Sequence, residues 1–184
     1  MKNILIINGH EYYKKSKGQL NQTIFEEWER LLKDKFNVET TIVDQGYDVD
    51  EEIEKWLRAD IIIMQTPIYW FSIPGKFKQY IDQVYMDRIF FKGSDQYGQG
   101  GQFTDKQYLL SLTWNAPEAI FDNKEAFYDG RSLDEAMLHL HKMNQYIGMT
   151  SLPTFAIYNV VKHTNIEHYK IKLAGHVKEV FDRM

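Results

Sequence analysis

The feature of the sequence that most constrains the fold is a run of aliphatic residues at positions 61–64, Ile-Ile-Ile-Met. This run is too short to span a membrane, and it is bounded by the polar residues Asp60 and Gln65. A short, continuous apolar run is typical of a strand that is covered on both faces, as strands in parallel sheets are. The sequence therefore predicts a buried strand here, in a sheet with both faces covered.

Comparable runs alternate with amphipathic segments along the whole chain. Strands are predicted at residues 4–7, 38–43, 61–64, 108–112 and 153–158, and helices are predicted to begin near Gln19, Asp48, Pro74, Ser132 and Thr164. The last two helices each begin with the Ser/Thr-x-x-Glu spacing of a capping box, and the fourth is predicted to continue to Gly148. Five strands alternating with five helices imply a parallel sheet with right-handed crossovers.

Composition narrows the classes of function. The 184 residues are predicted to form a single domain, residues 1–184, that can bury its own core. The absence of Cys excludes disulfides, thiol catalysis and thiolate metal sites, and His139 and His141 are spaced to fall on different helix faces, so no metal site is predicted. A formal net charge of −4 without a basic block argues against nucleic-acid binding. The first apolar run is too short for a signal peptide, so a cytoplasmic protein without a membrane span is expected.

Three aromatic residues, Tyr69, Trp70 and Phe71, follow the central strand directly after Pro67 and Ile68. Three adjacent large rings cannot all point into the core from one loop. The carboxyl end of a buried strand is where open α/β sheets bind ligands, and flat side chains suit a flat ligand. Packing within the protein is the alternative, and it is the more common role of aromatic residues in loops.

The loop after the first strand contains neither a dinucleotide-binding fingerprint nor a P-loop. It carries three lysines within residues 14–17, together with Ser16 and Gly18, before the helix that begins near Gln19. Such a loop at a helix N-terminus can hold an anionic phosphate, although a solvated surface is the alternative. The loops after strands one and three are thus the two with an unusual composition, one rich in lysine and the other in aromatic residues. In the flavodoxin-like order 2-1-3-4-5 a ligand lies between those two strands, so this order is predicted.

A further candidate segment follows strand four, at residues 111–117, where a buried strand ends in an aromatic and polar turn. Before it, a glycine-rich loop at residues 97–101 begins with Tyr97, whose ring could cover a flat ligand. A simple turn is the alternative for both.

Together these segments resemble the flavodoxin-like quinone reductases of the modulator of drug activity B type, which are relatives of DT-diaphorase. The resemblance extends from residues 3–9 to residues 152–155. Its most specific parts are Gly-Gln-Leu-Asn at 18–21, Tyr-Gly-x-Gly-Gly at 97–101 and Leu-Thr-Trp-Asn-Ala-Pro at 112–117. It implies a three-layer sandwich with a five-stranded parallel sheet, bound FAD rather than FMN, NADPH or NADH as co-substrate, a quinone-like acceptor, and a homodimer with the flavins near its interface.

The resemblance also assigns cofactor-binding residues. Those around the phosphates would be Ser16, Lys17, Gly18, Gln19, Leu20, Asn21, Gln22 and Thr23. Those around the isoalloxazine would be Pro67, Ile68, Tyr69, Trp70 and Phe71, with Tyr97, Thr113, Trp114, Asn115 and Ala116 completing the pocket. Within this set the side chains of Ser16 and Asn21 are assigned to the ligand rather than to the core.

No catalytic side chain is assigned, because the flavin would carry the hydride. His10 and Tyr128 are candidates for a proton role, with a structural role as the alternative for each. The chain departs from the family at Tyr69-Trp70, where paired tryptophans are common, and in a shorter segment between Tyr85 and Tyr97. The first departure implies an altered fit to substrates.

Two other classes of function are compatible with parts of the pattern. One is a flavodoxin-type electron carrier that holds FMN and serves protein partners, but such carriers usually have a strongly acidic face, and −4 is modest. The other is a cofactor-free binding or regulatory domain, which would leave the three loop aromatics unexplained.

Overall fold

The computed structural model describes residues 1–161 and 164–182, which form a six-stranded parallel sheet with helices on both faces. The strands are β1 (Asn3–Asn8), β2 (Asn37–Ile42), β3 (Ile61–Pro67), β4 (Gln107–Thr113), β5 (Thr150–Ser151) and β6 (Phe155–Ile157). The helices are α1 (Gln19–Leu32), α2 (Val49–Arg58), α3 (Gly75–Val84), α4 (Leu133–Ala136), α5 (Leu138–Tyr146) and α6 (Ile166–Phe181), with short 3-10 turns at Val43–Gln45 and Glu118–Ile120.

The strands follow the order β2-β1-β3-β4-β5, and β6 also pairs with β4. β1 and β3 are adjacent and parallel in the middle of the sheet, with Ile4 opposite Ile61. The predicted flavodoxin-like order is therefore confirmed.

The fifth strand differs from the prediction, because two short strands replace one strand at residues 153–158. β5 pairs with the start of β4 and β6 with its end. Pro153 lies between them and has no N–H to donate to the ladder, so pairing stops after Leu152 and resumes at Phe155.

Alternate residues of the strands enter two separate cores. Leu5, Ile62 and Leu110 pack under α2, α3 and α5, whereas Ile4 and Leu109 pack under α1 and α6. Every residue of β3 is buried, which explains why its sequence shows no polar alternation until Gln65.

The predicted helix from Ser132 to Gly148 is two helices that meet at Met137, where φ is −98° and ψ is 20°. The capping box at its start is confirmed: the Ser132 hydroxyl accepts from the Glu135 N–H at 3.2 Å, and the Glu135 carboxylate accepts from the Ser132 N–H at 2.7 Å. Met137 is completely buried, and the N–H groups of Leu140 and His141 both bond to its carbonyl. A new helix therefore starts at this anchored residue.

The second predicted capping box, at Thr164 and Glu167, is wrong. Asn165 caps α6 instead, because its side chain accepts from the His168 N–H at 3.0 Å, while the Thr164 hydroxyl donates to the Val160 carbonyl. Asn is at least as good an N-cap as Thr, so the helix begins one residue later. Similarly, Pro74 is the residue before α3 rather than part of its first turn.

Within the described residues, no helix combines the length and the apolar character needed to cross a membrane.

Candidate functional site

The site is built on a row of polar side chains at the carboxyl ends of three adjacent strands. Asn8 of β1 lies opposite Gln65 of β3, and Gln65 lies opposite Ser111 of β4. All three residues are buried, although each directly follows a run of aliphatic or Met residues in its strand. A buried polar group must find a hydrogen-bond partner, so this row requires polar residues on the helix that covers it.

The partners come from α1, and the result is a continuous buried network. Ser111 Oγ donates to Gln65 Oε1 at 2.6 Å, Gln65 Nε2 donates to Asn21 Oδ1 at 2.7 Å, and Asn21 Nδ2 donates to Asn8 Oδ1 at 2.7 Å. Trp28 Nε1 donates to Ser111 Oγ at 2.8 Å at the other end. The network fixes α1 against the sheet at Asn21, in its first turn, and at Trp28, in its second half.

Asn21 is therefore a core residue. Its side chain is 2% exposed and is held by Asn8 and Gln65, contrary to the prediction that it faces a ligand rather than the core. What it can offer a ligand is its backbone N–H, which lies in the first turn of α1.

That first turn is open toward the loop. Gly18 is the N-cap of α1 with φ of 77°, and no side chain caps the helix. The N–H groups of the first turn have no partner within a helix and favour an anion. Gly18 also allows a close approach, because a Cβ atom at this position would lie 2.3 Å from the His10 ring.

His10 supports the same loop from below. Its Nε2 donates to the Ser16 carbonyl at 3.2 Å. Burial lowers the pKa of His10, an effect that the bond to Ser16 opposes. The bond to the Ser16 carbonyl agrees with the structural alternative for this residue.

The loops after β1 and β3 contain matching two-residue turns. Tyr13 and Ser16 exchange backbone hydrogen bonds at 3.0 and 2.9 Å, and Tyr69 and Ser72 do so at 2.8 and 3.1 Å. The Ser16 hydroxyl lies 2.5 Å from the Tyr69 hydroxyl, and the Tyr13 and Tyr69 rings meet edge to face at 5.4 Å. The two loops therefore form one surface.

The tip of the second turn is held in an unfavourable backbone conformation. Trp70 and Phe71 have φ of 47° and 68°, the left-handed region that Asn and Gly normally occupy in two-residue turns. Trp70 is 94% exposed and Phe71 is 49% exposed. An aromatic pair that is both strained and exposed contributes little to the core, and such outliers are concentrated at binding sites.

The loop after β4 supports this tip from the side. Trp114 is buried, and its ring meets that of Phe71 edge to face at 6.3 Å. The Ile68 N–H donates to the Thr113 carbonyl at 2.9 Å, which joins the ends of β3 and β4. Asn115 Oδ1 accepts from the Val161 N–H at 3.1 Å. Pro67, Ile68, Thr113 and Trp114 are thus buried supports, whereas Asn115 is exposed and Ala116 is half-buried.

The predicted phosphate residues divide in the same way. Lys17 and Gln19 are exposed, and Leu20 is half-buried. Gln22 is used by the protein itself, since it bonds to Asn8 and Glu26. The Thr23 hydroxyl donates to the Gln19 carbonyl within α1.

Tyr97 does not join the other candidate residues. Its side chain is 91% exposed, and its ring packs on Tyr146 at the end of α5 at 5.7 Å. It lines a groove of about 1150 Å³ between α3, α5 and the residues around 97–104, and Ser72 lines the same groove. The structure thus brings together three of the four predicted segments.

Sequence reasoning missed three features of the site. The polar row was visible as Asn8, Gln65 and Ser111 within aliphatic strands, and the matching turns were visible as a repeated Tyr-x-x-Ser, at 13–16 and 69–72. Phe127, which stacks on Phe71 at 5.7 Å, carried no sequence signal. Over the described residues, no group of three or more His, Asp or Glu side chains could hold a metal ion.

Comparisons with known proteins agree with this architecture. The model of a family described as having a flavodoxin-like fold matches residues 2–179. The NADPH:quinone oxidoreductase MdaB of Haemophilus influenzae is 37% identical over 190 residues, which cover 97% of this chain and 99% of that protein.

Two solved structures show the same fold at lower identity. An NADPH-quinone reductase from P. pentosaceus superposes with a TM-score of 0.70 and 18% identity, over 99% of each chain. General stress protein 14 of Treponema denticola, solved in complex with FMN, superposes with a TM-score of 0.72 and 17% identity, over 97% of each chain.

Proposed function

The chain belongs to the family with the flavodoxin-like fold, and from this premise we propose that it is a flavin-dependent NAD(P)H oxidoreductase that reduces a quinone. The observation that carries the proposal is the strained, exposed Trp70–Phe71 tip at the carboxyl end of β3, beside the open N-terminus of α1. Side by side, these two features suit a ligand that has both a flat ring system and a phosphate tail.

The residues present fit a flavin. The uncapped first turn of α1 and the exposed Lys17 suit its phosphate, and the rings of Trp70, Phe71 and Tyr69 suit its isoalloxazine. When bound, the flavin would supply hydride transfer from the nicotinamide to the acceptor.

The chain itself would bind and orient the reactants. The backbone N–H groups of Trp70 and Phe71 make no hydrogen bond within the described part of the chain, so they are free to donate to the edge of a bound ring. Donors fixed in this way stabilise negative charge that develops there. The loop that carries them is attached through the Ile68 N–H, which donates to the Thr113 carbonyl, and through the Tyr69 hydroxyl at Ser16. We assign no acid or base side chain, because the flavin would carry the hydride.

FAD is the proposed flavin, on the basis of the resemblance to the quinone reductases of the modulator of drug activity B type. FMN is the second candidate, because the Treponema denticola protein was solved with FMN. Acid release of the bound flavin followed by chromatography distinguishes the two. FMN in the purified protein would contradict the FAD assignment and leave the proposed reaction intact.

The proposed assembly is a homodimer. Tyr97 is exposed and packs on Tyr146, and the groove that it lines does not include Trp70 or Phe71, so we take a second copy as the source of the Tyr97 ring that would complete the site. Sedimentation equilibrium of the flavin-loaded protein should give the mass of two chains. A monomer that retains flavin and full turnover would contradict this arrangement.

Steady-state kinetics test the reaction. NADPH or NADH and the quinone would bind in turn at the same exposed face of the flavin. Double-reciprocal plots at several quinone concentrations should therefore be parallel, which is the pattern of a ping-pong reaction. Intersecting lines would show that both substrates bind together and would contradict a single shared face.

A further inference from the structure

Helix α3 begins shortly after the strained turn, and its N-terminus is capped by a side chain from another loop. Pro74, the residue before the helix, has no side-chain group that could accept a hydrogen bond. The Lys76 N–H in the first turn of α3 instead donates to Glu11 Oε2 at 3.0 Å, although the two residues are 65 positions apart in sequence. A carboxylate at this place satisfies a free N–H group and is favoured by the helix dipole. The cap therefore joins the loop after β1 to the start of α3.

The same carboxylate oxygen holds Tyr13. The Tyr13 hydroxyl donates to Glu11 Oε2 at 2.9 Å. The Tyr13 ring meets the Tyr69 ring edge to face, and the Tyr13 backbone closes the first turn with Ser16. Glu11 thus holds the ring through which the first turn contacts the second.

A second carboxylate reinforces this connection. Asp44 Oδ1 accepts from the Lys76 ammonium at 2.6 Å, and Asp44 Oδ2 accepts from the Tyr12 N–H at 3.3 Å. The bond to the ammonium lowers the pKa of Asp44. Lys76 is bonded through its backbone to Glu11 and through its side chain to Asp44. Residues 11–13 are therefore attached to the start of α3 at more than one point.

These contacts bear on the proposed flavin site because its two halves lie on different loops. The open first turn of α1 follows the loop after β1, and the Trp70–Phe71 tip precedes α3. A ligand that contacts both halves binds more tightly when they are already held in the bound arrangement. Glu11 supplies such a connection from outside the set of residues assigned to the flavin. Stabilisation of α3 alone is the alternative role, and it would leave flavin binding unchanged.

We propose that Glu11 is a positioning residue for the flavin, which holds the phosphate-binding turn and the aromatic tip in register by capping α3 and bonding to Tyr13. The inference rests on the proposed function and goes beyond it by assigning part of the flavin affinity to a residue outside the pocket. The sign of the effect separates positioning from electrostatics. If only the charge of Glu11 acted on the anionic phosphate, removing the carboxylate would tighten flavin binding, whereas loss of positioning weakens it.

Titration calorimetry of FAD, and in parallel of FMN, into the flavin-free protein tests this assignment. Glu11→Ala should raise the Kd of the flavin that the wild type binds about three- to tenfold, which is the cost of ordering a side chain on binding. Glu11→Gln retains an oxygen that can accept from the Lys76 N–H, so its Kd should lie between the other two. Tyr13→Phe should raise the Kd in the wild type but add little to Glu11→Ala, because both changes break the same hydrogen bond.

Glu135→Ala is the matched control, because Glu135 likewise accepts from a backbone N–H, that of Ser132, at the start of a helix. It should leave the Kd of the flavin unchanged. Hydrogen exchange of the backbone amides of residues 13–18, measured without flavin, gives a second readout. Exchange should be faster in Glu11→Ala than in the wild type and unchanged in Glu135→Ala.

An unchanged or lowered Kd in Glu11→Ala would overturn the assignment, and so would unchanged exchange at residues 13–18. Failure of the proposed reaction is a separate result: the Kd of the flavin would depend on Glu11 as expected, but the loaded wild type would not oxidise NADPH or NADH. A wild type that bound neither FAD nor FMN would overturn both the assignment and the proposed function.

Discussion

At the scale of single residues, Gln65 shows how the site is supported from below. Its side chain accepts from Ser111 and donates to Asn21, so it joins β3 to β4 and to α1. Leu has a similar volume but would leave a buried hydroxyl and a buried amide oxygen with poorer partners. We expect Gln65→Leu to lower the free energy of unfolding by about 2–6 kcal/mol, from about 1–3 kcal/mol for each of the two impaired groups. Urea denaturation measures this change.

Gln107→Leu is the matched control, because Gln107 lies at the opposite end of β4 and outside the network. It should change the free energy of unfolding by less than about 1 kcal/mol. If the free energy of unfolding fell equally in the two variants, the hydrogen bonds of the network would contribute nothing beyond what any glutamine in this sheet contributes.

Gly18 is the second residue on which the site depends. In Gly18→Ala the new methyl group would meet the His10 ring at 2.3 Å, and the positive φ of this position would add strain. Gly46 also has a positive φ, of 91°, but a Cβ atom there meets nothing within 4 Å. Gly46→Ala should therefore carry only the conformational cost, about 1–2 kcal/mol, with no loss of flavin.

Gly18→Ala should lower stability further and should also reduce the ratio of flavin to protein absorbance, because the clash displaces the loop from the first turn of α1. If the two variants retained flavin equally, the backbone around Gly18 would have no part in holding the cofactor.

At the scale of elements, a comparison of the two matching turns shows that only the second, at residues 69–72, has a strained backbone. Lys14 occupies the same place in the first turn as Trp70 does in the second, but only Trp70 has a positive φ. Trp70→Asn should therefore raise the free energy of unfolding by about 0.5–1 kcal/mol, because Asn tolerates this conformation and the exposed indole has little packing to lose. The same substitution should lower quinone turnover, since the ring is removed.

Lys14→Asn is the control. It should not raise the free energy of unfolding, because Lys14 has no positive φ for Asn to relieve. Thermal unfolding and turnover of the two variants give the comparison. Destabilisation by Trp70→Asn would show that the indole packs on the protein, and would contradict a role for the Trp70–Phe71 tip in binding a ligand.

The helices and strands also show which features of the fold can be predicted from sequence patterns. Periodicity and composition predicted the buried strands and most helices, because those patterns are local and repeat within each segment. They did not predict the division at Met137, which depends on the burial of that residue, or the gap at Pro153, where the ladder lacks an N–H donor. They also did not predict the cap at Asn165, which depends on which of two neighbouring residues bonds to the helix N-terminus. The location of the aromatic tip was predictable, since three adjacent rings in one loop are unusual.

The contacts that assemble the site were not predictable in the same way. The Ser16 and Tyr69 hydroxyls are 53 residues apart in sequence, and Phe127 reaches Phe71 through a loop without a recognisable motif. Such contacts require knowledge of which strand ends lie side by side. The predicted order 2-1-3-4-5 correctly placed the ends of β1, β3 and β4 side by side, but it does not specify which side chains of their loops meet.

At the scale of the whole molecule, the fold gathers the carboxyl ends of β1, β3 and β4 at one edge, and the buried network holds α1 against them. A rigid base therefore carries an exposed aromatic tip beside an open helix N-terminus. This arrangement suits an enzyme that exchanges two flat substrates at one place, and the central claim is that the protein itself carries out both halves of that exchange.

The most direct measurement follows the flavin absorbance of the loaded protein without oxygen, first after addition of NADPH or NADH alone and then after addition of a quinone alone. The account predicts that a nicotinamide bleaches the oxidised flavin spectrum and that the quinone restores it, with no other protein present. A spectrum that neither nicotinamide changes would contradict the account and would identify an electron carrier that depends on a separate reductase.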